Sequence, residues 1–161
     1  MRDKGIGDAG VGAAADRQSG VLDQGGLPDL LGYQLRRAQT GLFAHFAAWF
    51  REDDLTPGQL GLLVLVGRNP GLSQAALAKE LGVERATLGE ALVPLAGRGL
   101  IRRDPSPTDR RSIALSLSAE GRELVNRLLA AVPAHEADFA KALTPAEQAR
   151  LLHLLRKLNG A

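Results

Sequence analysis

The sequence predicts a mainly helical α+β fold, a lobe of short helices carrying a β-hairpin, with longer helices on either side. Three observations predict it. Apolar residues make up 45% of the 161-residue chain and recur mostly at helical spacing. Two short helical patterns meet at Gly82, as in a helix-turn-helix. Further on, Ile113, Leu115 and Leu117 alternate with small or polar residues behind a Pro-rich basic segment, the pattern of a half-buried strand closing a hairpin.

The elements follow in order. Residues 1–26 hold seven glycines and almost nothing to bury, so a disordered arm is expected ahead of one domain over 27–161. A helical pattern from about residue 28 to 52 sets Leu35, Leu42, Phe46, Trp49 and Phe50 near one side. Thr56-Pro57-Gly58-Gln59 is a capping box with proline at the first helical position. The helix it opens runs through Leu60–Val66 to a turn at Asn69-Pro70-Gly71. Ser73 caps a short helix to about Leu81, and Gly82 stops it. The next helix starts near Glu84 and buries Leu88, Leu92 and Leu95. Pro94 inside it removes a hydrogen bond and clashes with the Glu90 carbonyl at a cost of ~3 kcal/mol, so this helix is expected to kink or to end near Val93.

Strands over Leu100–Arg103 and Ser112–Leu117 form the hairpin, completing a lobe over about 55–120. Ser118 caps a helix that Pro133 is expected to interrupt or kink. Thr144-Pro145-Ala146-Glu147 is a second capping box. The helix after it carries Leu151, Leu154, Leu155 and Leu158 in one stripe, with Leu152 to the side. That is more apolar surface than one contact within the chain needs, so this helix is expected to meet a second copy.

Composition excludes several functions. The chain has no cysteine, hence no disulfide, thiolate metal site or thiol switch. His45, His135 and His153 lack the spacing of a zinc pair, and no metal or cofactor is expected. The longest apolar run, Leu62–Val66, is far short of the roughly 20 residues of a membrane span. Residues 1–26 show no apolar block behind a basic start, so a cytoplasmic protein without membrane contact is expected. No nucleophile–base pair, phosphate loop or paired carboxylates can be placed in a cleft, which argues against an enzyme.

Charge is unevenly divided. The net charge is +2, yet residues 68–111 carry eight bases against five acids. Arginine supplies sixteen of the twenty basic residues, and its planar fork suits phosphates and guanine edges. Aromatics are 4% of the chain, and five of the six (Tyr33, Phe43, Phe46, Trp49 and Phe50) fall within eighteen positions.

Leu55-Thr56-Pro57-Gly58-Gln59, Ser73-Gln74-Ala75-Ala76-Leu77-Ala78, Arg98-Gly99-Leu100-Ile101-Arg102-Arg103, Asp109-Arg110-Arg111 and Leu117-Ser118-Ala119-Glu120-Gly121 stand in order along the chain. Together they resemble the MarR family of winged helix-turn-helix transcriptional regulators, from roughly Leu31 to Leu158. The resemblance implies a homodimer whose dimerisation helices, about 28–52 and 118–159, interleave and whose two winged lobes straddle a pseudo-palindromic operator in double-stranded DNA. A non-sensing architectural winged helix of low DNA specificity is the alternative.

By position in such a lobe, Ser73 and Gln74 stand where a helix N-terminus suits a phosphate. Arg85 and Thr87 lie in the first turn of the recognition helix, where base edges are reached. At the wing tip Arg111 is placed to enter the minor groove, held by Asp109, while Arg110, Arg102 and Arg103 suit phosphates. The recognition helix departs from the family, where it typically reads Ser-Thr-Val-Thr-Arg. Here it reads Ala86-Thr87-Leu88-Gly89-Glu90. Glu90, opposite the leucine stripe, either accepts from a cytosine amino group or repels phosphates.

Members of the family often bind small aromatic or phenolic acids between the first helix and the DNA-binding lobe, and release DNA when they do. Arg36 or Arg37 with His45, Phe46 and Trp49 could offer a ring-stacking wall and an anion partner for such an effector. Phe43 and Phe50 are most simply core or dimer packing, and helical spacing alone favours packing for Phe46 too.

Overall fold

The computed structural model describes residues 22–105 and 112–160. The chain divides into two compact units, Met1–Arg36 and Arg37–Ala161. In the described part of the first, a 3-10 turn at Leu27–Asp29 precedes the start of helix α1 (Leu31–Trp49). There the Tyr33 hydroxyl donates to Gln24 Oε1 at 2.7 Å and Gln34 Nε2 to the Pro28 carbonyl at 2.6 Å. The Gly-rich stretch up to residue 21 lies outside the described residues.

The second unit takes in the rest of α1, then α2 (Pro57–Arg68), β1 (Leu72–Ser73), α3 (Gln74–Leu81), α4 (Arg85–Gly97), β2 (Ile101–Pro105), β3 (Ile113–Leu117), α5 (Ala119–Phe139) and α6 (Pro145–Leu158). Four of its helices, α2, α3, α5 and α6, start where short polar side chains accept from first-turn N–H groups. Ser73 accepts from Ala76 N and Ser118 from Gly121 N. Thr56 and Thr144 form complete capping boxes with Gln59 and Glu147. The backbone N–H and hydroxyl of Thr144 both donate to Glu147, at 2.8 Å each, and hold its carboxyl below the usual range. Gly82 closes α3 in the left-handed region at φ 63°, where a side chain would be strained.

The sheet is antiparallel, in the order β1-β3-β2. β1 is a two-residue strand that the sequence pattern hides, because one of its residues is also the α3 cap. In the hairpin, Ile101 pairs with Leu117 and Arg103 with Leu115. Arg103 therefore shares the helix-facing side of the ribbon, and Arg102, paired with Ser116, lies on the other. The core gathers Leu60, Leu63 and Val66 of α2, Leu77 of α3, Leu88, Leu92 and Leu95 of α4, Leu115 of β3 and Leu128 of α5. Two glycines set approach distances. A Cβ on Gly67 would come within 2.7 Å of the Leu117 side chain, and one on Gly121 would fall on the Leu100 carbonyl.

Three expectations narrow. Helix α4 does not end near Val93 but continues through Pro94 to Gly97. Its leucine stripe is fully buried on both sides of the proline while Pro94 itself is exposed, so packing offsets the lost hydrogen bond and water can reach the Glu90 carbonyl. Arg98 N and Leu100 N then bond the Pro94 and Leu95 carbonyls and close the end. Helix α5 likewise runs on through the exposed Pro133, with Leu128 and His135 buried on either side. Phe43 is 43% exposed, so of its two expected roles packing in this chain's core is excluded, unlike for Phe46 and Phe50.

Candidate nucleic-acid interface and ligand cleft

Arg85 and Thr87 in the first turn of α4 are exposed, as is Glu90, which lies opposite the buried Leu88, Leu92 and Leu95. The N-terminus of α3 lies beside it. Ser73 spends its hydroxyl on its own cap, leaving backbone N–H groups of the first turn to face outward. Gln74 links three elements: its Nε2 donates to the Arg85 carbonyl at 3.4 Å, and its Oε1 accepts from the Arg103 guanidinium at 2.8 Å. Gly89 makes room for this, since a Cβ there would stand 3.2 Å from Gln74 Nε2. What reads in the sequence as a lost contact side chain is space for a cross-link between recognition helix and wing.

Arg103 is thus tied to the recognition-helix side. Arg102, on the opposite face, approaches Asp104 at 4.0 Å and Ser116 Oγ at 3.5 Å and stays 65% exposed. Asp109, Arg110 and Arg111 lie outside the described residues.

Behind α4 the lobe is fastened to its surroundings by Arg98, which donates to the Asp53 and Asp54 carbonyls at 2.7 Å each. The buried Asp53 carboxylate pairs with Arg127 of α5 at 2.7 Å and raises the Arg127 pKa above its ordinary value. Asp54 sits in the left-handed region at φ 46° to make the turn. Nothing in the sequence spacing of residues 53, 98 and 127 signals this link.

A cleft of about 440 Å³ opens between α1, α2 and α5, walled by Leu42, Phe46, Leu60, Val64, Leu129 and Val132, with His135 and Glu136 on the α5 side. His135 is 1% exposed, and neither ring nitrogen has a hydrogen-bond partner. The rings of His45, Phe46, Phe50 and Trp49 surround it at 4.8, 5.4, 5.5 and 5.9 Å. Burial, and secondarily the neighbouring His45, push the His135 pKa below its usual value, so the ring is neutral.

His45 stacks on Trp49 at 5.7 Å, and its Nε2 lies 2.9 Å from Asp138 Oδ2. That contact, with help from Lys141, holds the Asp138 carboxyl below its ordinary range, so the proton of the bond sits on His45 Nε2. Of the expected effector residues, Phe46 walls the cleft, while His45 and Trp49 stand behind it around His135. Trp49 is 43% exposed, and Arg36 is exposed on α1. The residue that sequence reasoning passed over is His135. A lone histidine eighty-five positions beyond Phe50, the last ring of that cluster in the sequence, carries no local signal of its packing.

The family model of the MarR family matches residues 53–112. A protein named as transcriptional regulator for the hcr operon in Thauera aromatica is 37% identical over 148 residues, covering 91% of this chain and 89% of its own. The structure of the transcriptional repressor CouR bound to a 23-mer DNA duplex superposes with a TM-score of 0.79 at 36% identity, over 87% of this chain and 99% of that one. Bordetella bronchiseptica BpsR, whose DNA binding is regulated by 6-hydroxynicotinic acid, matches with a TM-score of 0.74 at 27% identity, over 83% and 95%. Among the described residues no helix is long and apolar enough to cross a membrane. With its helix-turn-helix, its three-stranded wing and this likeness along most of its length, the chain belongs to the MarR family of winged-helix transcriptional regulators.

Proposed function

We propose that the protein is a cytoplasmic homodimeric repressor that grips a pseudo-palindromic operator and lets go when a small aromatic ligand enters the α1–α2–α5 cleft. The observation that carries the DNA half is the exposure of Arg85 and Thr87 in the first turn of α4 and of Glu90 opposite its buried leucine stripe. In this reading Arg85 and Thr87 reach base edges, and Glu90 accepts from a cytosine amino group. The α3 N-terminus at Ser73 and Gln74, with Arg102 and Arg103, meets the backbone, and the wing-tip residues Asp109, Arg110 and Arg111 reach the adjacent minor groove.

Two such helices must sit about 34–36 Å apart to enter successive major grooves on one side of the duplex. A homodimer through α6 supplies the second. Leu151, Leu152, Leu154 and Leu158 are 41–60% exposed, and α6 buries no residue within its own chain. The relative BpsR supports control by a small aromatic acid, and the cleft supports a seat for one. A ligand there acts only by preferring the lobe spacing that cannot span both half-sites.

Selection from random duplex DNA, with and without aromatic acids, tests this. A two-half-site consensus that disappears on adding a ligand is expected. Binding without any consensus would instead favour a low-specificity architectural protein.

A further inference from the structure

We infer that Asp53, Arg98 and Arg127 are positioning residues that clamp the DNA-binding lobe at one angle and so set the half-site spacing the protein accepts. The inference rests on the operator-binding homodimer proposed above and adds to it a source of specificity that touches no base.

The lobe of about 55–120 joins the rest of the chain at two crossings, the turn over 50–56 and the start of α5. A body held by one short crossing swings about it, and a body held by two crossings that are tied together does not. At the α5 crossing, Ser118 N donates to the Leu100 carbonyl and the Arg122 guanidinium to the Leu117 carbonyl, both at 3.0 Å. These bonds fix α5 to the base of the wing.

At the other crossing, the 3-10 turn Arg51–Asp53 runs into Asp54 and the backbone turns sharply. Two successive carbonyls, of Asp53 and Asp54, thereby face one guanidinium, and Arg98 at the end of α4 donates to both at 2.7 Å. Asp54 adopts φ 46° in making this turn, a conformation that costs an L residue and persists only where its surroundings hold it.

Asp53 then closes the triangle. Its carboxylate, 10% exposed, receives the guanidinium of Arg127 from α5 at 2.7 Å. One residue thus holds the end of the recognition helix through its carbonyl and α5 through its carboxylate. Arginine suits the α4 side because its planar fork spans two acceptors, where a lysine ammonium is a point charge. Both arginines are themselves exposed, so they serve as ties and not as core filling.

Spacing follows from angle. One base pair added between half-sites moves the second about 3.4 Å along the duplex and about 35° around it. A clamped lobe cannot follow that displacement. A swinging lobe can, but it must be ordered each time it binds, which weakens binding at the best spacing.

The test uses the two-half-site consensus duplex from the random-DNA selection, and the same duplex with one base pair added or removed at its centre. Kd is measured on all three for the wild type, Arg98→Gln, Arg98→Lys and Arg127→Gln. The wild type should bind the altered spacings roughly tenfold or more weakly, the scale of a mismatched base pair. Arg98→Gln should bring them within about threefold of the consensus, chiefly by weakening binding to the consensus itself. Arg127→Gln should fall between the two, and Arg98→Lys should keep more of the discrimination than Arg98→Gln. The ratio is the readout, because a variant that merely folds less well, or that loses a phosphate contact, loses the same factor on every duplex.

A wild type indifferent to spacing overturns the inference without any variant, as does an undiminished ratio in either glutamine variant. If the selection yields no two-half-site consensus, the operator reading falls and this inference with it. If the consensus stands and the ratios do not move, the clamp alone is lost.

Discussion

Helices α2 and α6 open with the same device and come to opposite ends. Each has threonine at the cap, proline at the first position and a Gln or Glu at the third, and both boxes are complete. Yet α2 buries Leu60, Leu62, Leu63 and Val66, and α6 buries nothing, although its leucine stripe is the cleaner of the two by pattern. Capping decides where a helix begins, because it answers a shortage of acceptors within one turn. Burial depends on what lies opposite. The α2–α3–α4–sheet lobe is closed within one chain, and α6 presents a surface that a single chain leaves open.

The sharpest way to break the closed half is at Gly121. Its Cα lies against the Leu100 backbone, which joins the end of α4 to the wing, so Gly121→Ala forces backbone apart rather than a side chain. A loss of about 3 kcal/mol is expected, or roughly 6–12 °C in melting temperature. Thermal unfolding measures it, and an unchanged midpoint would contradict the close approach.

The open half breaks differently. Leu151→Glu with Leu154→Glu should leave the lobe folded, because neither leucine is in the core. The same pair should convert a dimer to a 17.0 kDa monomer by light scattering and abolish tight operator binding. A dimer surviving both substitutions would place the interface elsewhere.

Smaller effects test the link between helix and wing. Gln74→Ala and Arg103→Ala should each weaken operator binding, and the double variant should lose less than the sum, by about 1 kcal/mol of coupling. Gly89→Ala should weaken binding too, but have no such effect once Gln74 is alanine, because the crowded atom is then gone. Additive losses would mean that the two side chains contact DNA independently.

The smallest effect is in pH. Because the folded pKa of His135 is depressed, the unfolded chain binds the extra proton, and stability falls as pH drops below the unfolded value of about 6.5. Asp138, also depressed, adds a loss at lower pH, below the ordinary carboxylate range. Melting curves from pH 7.5 to 5.5 should show the decline, and His135→Phe should flatten it.

Much of the fold was legible beforehand, for identifiable reasons. The four side-chain caps at Thr56, Ser73, Ser118 and Thr144 all stand at helix starts, because each answers a need met within three residues. The α4 leucine stripe and the alternation of β3 were readable because burial there follows the period of the element. Prolines misled. Pro94 and Pro133 break helices as isolated segments, but both lie on exposed positions of helices whose other faces are pinned in the core. Of the face proposed to read DNA, the place of Glu90 opposite the leucine stripe was legible from the helical wheel, and that of Arg85 and Thr87 from the helix start. Which of Arg102 and Arg103 shares the face of Leu115 followed only once the strand register was known.

By itself, then, the sequence determined where elements start, which face of each is apolar, and the family to which the series of motifs belongs. Only the tertiary structure decided which apolar faces are covered, that Gly89 is room for Gln74, and that a lone histidine of α5 lies buried among the rings of α1. Helix starts and stripes depend on neighbours a few residues away, where sequence distance and spatial distance agree. The cross-link at Gln74 and the imidazole at His135 depend on atoms brought together over 29 and 90 residues, from Arg103 and His45 respectively, and no local pattern encodes that proximity.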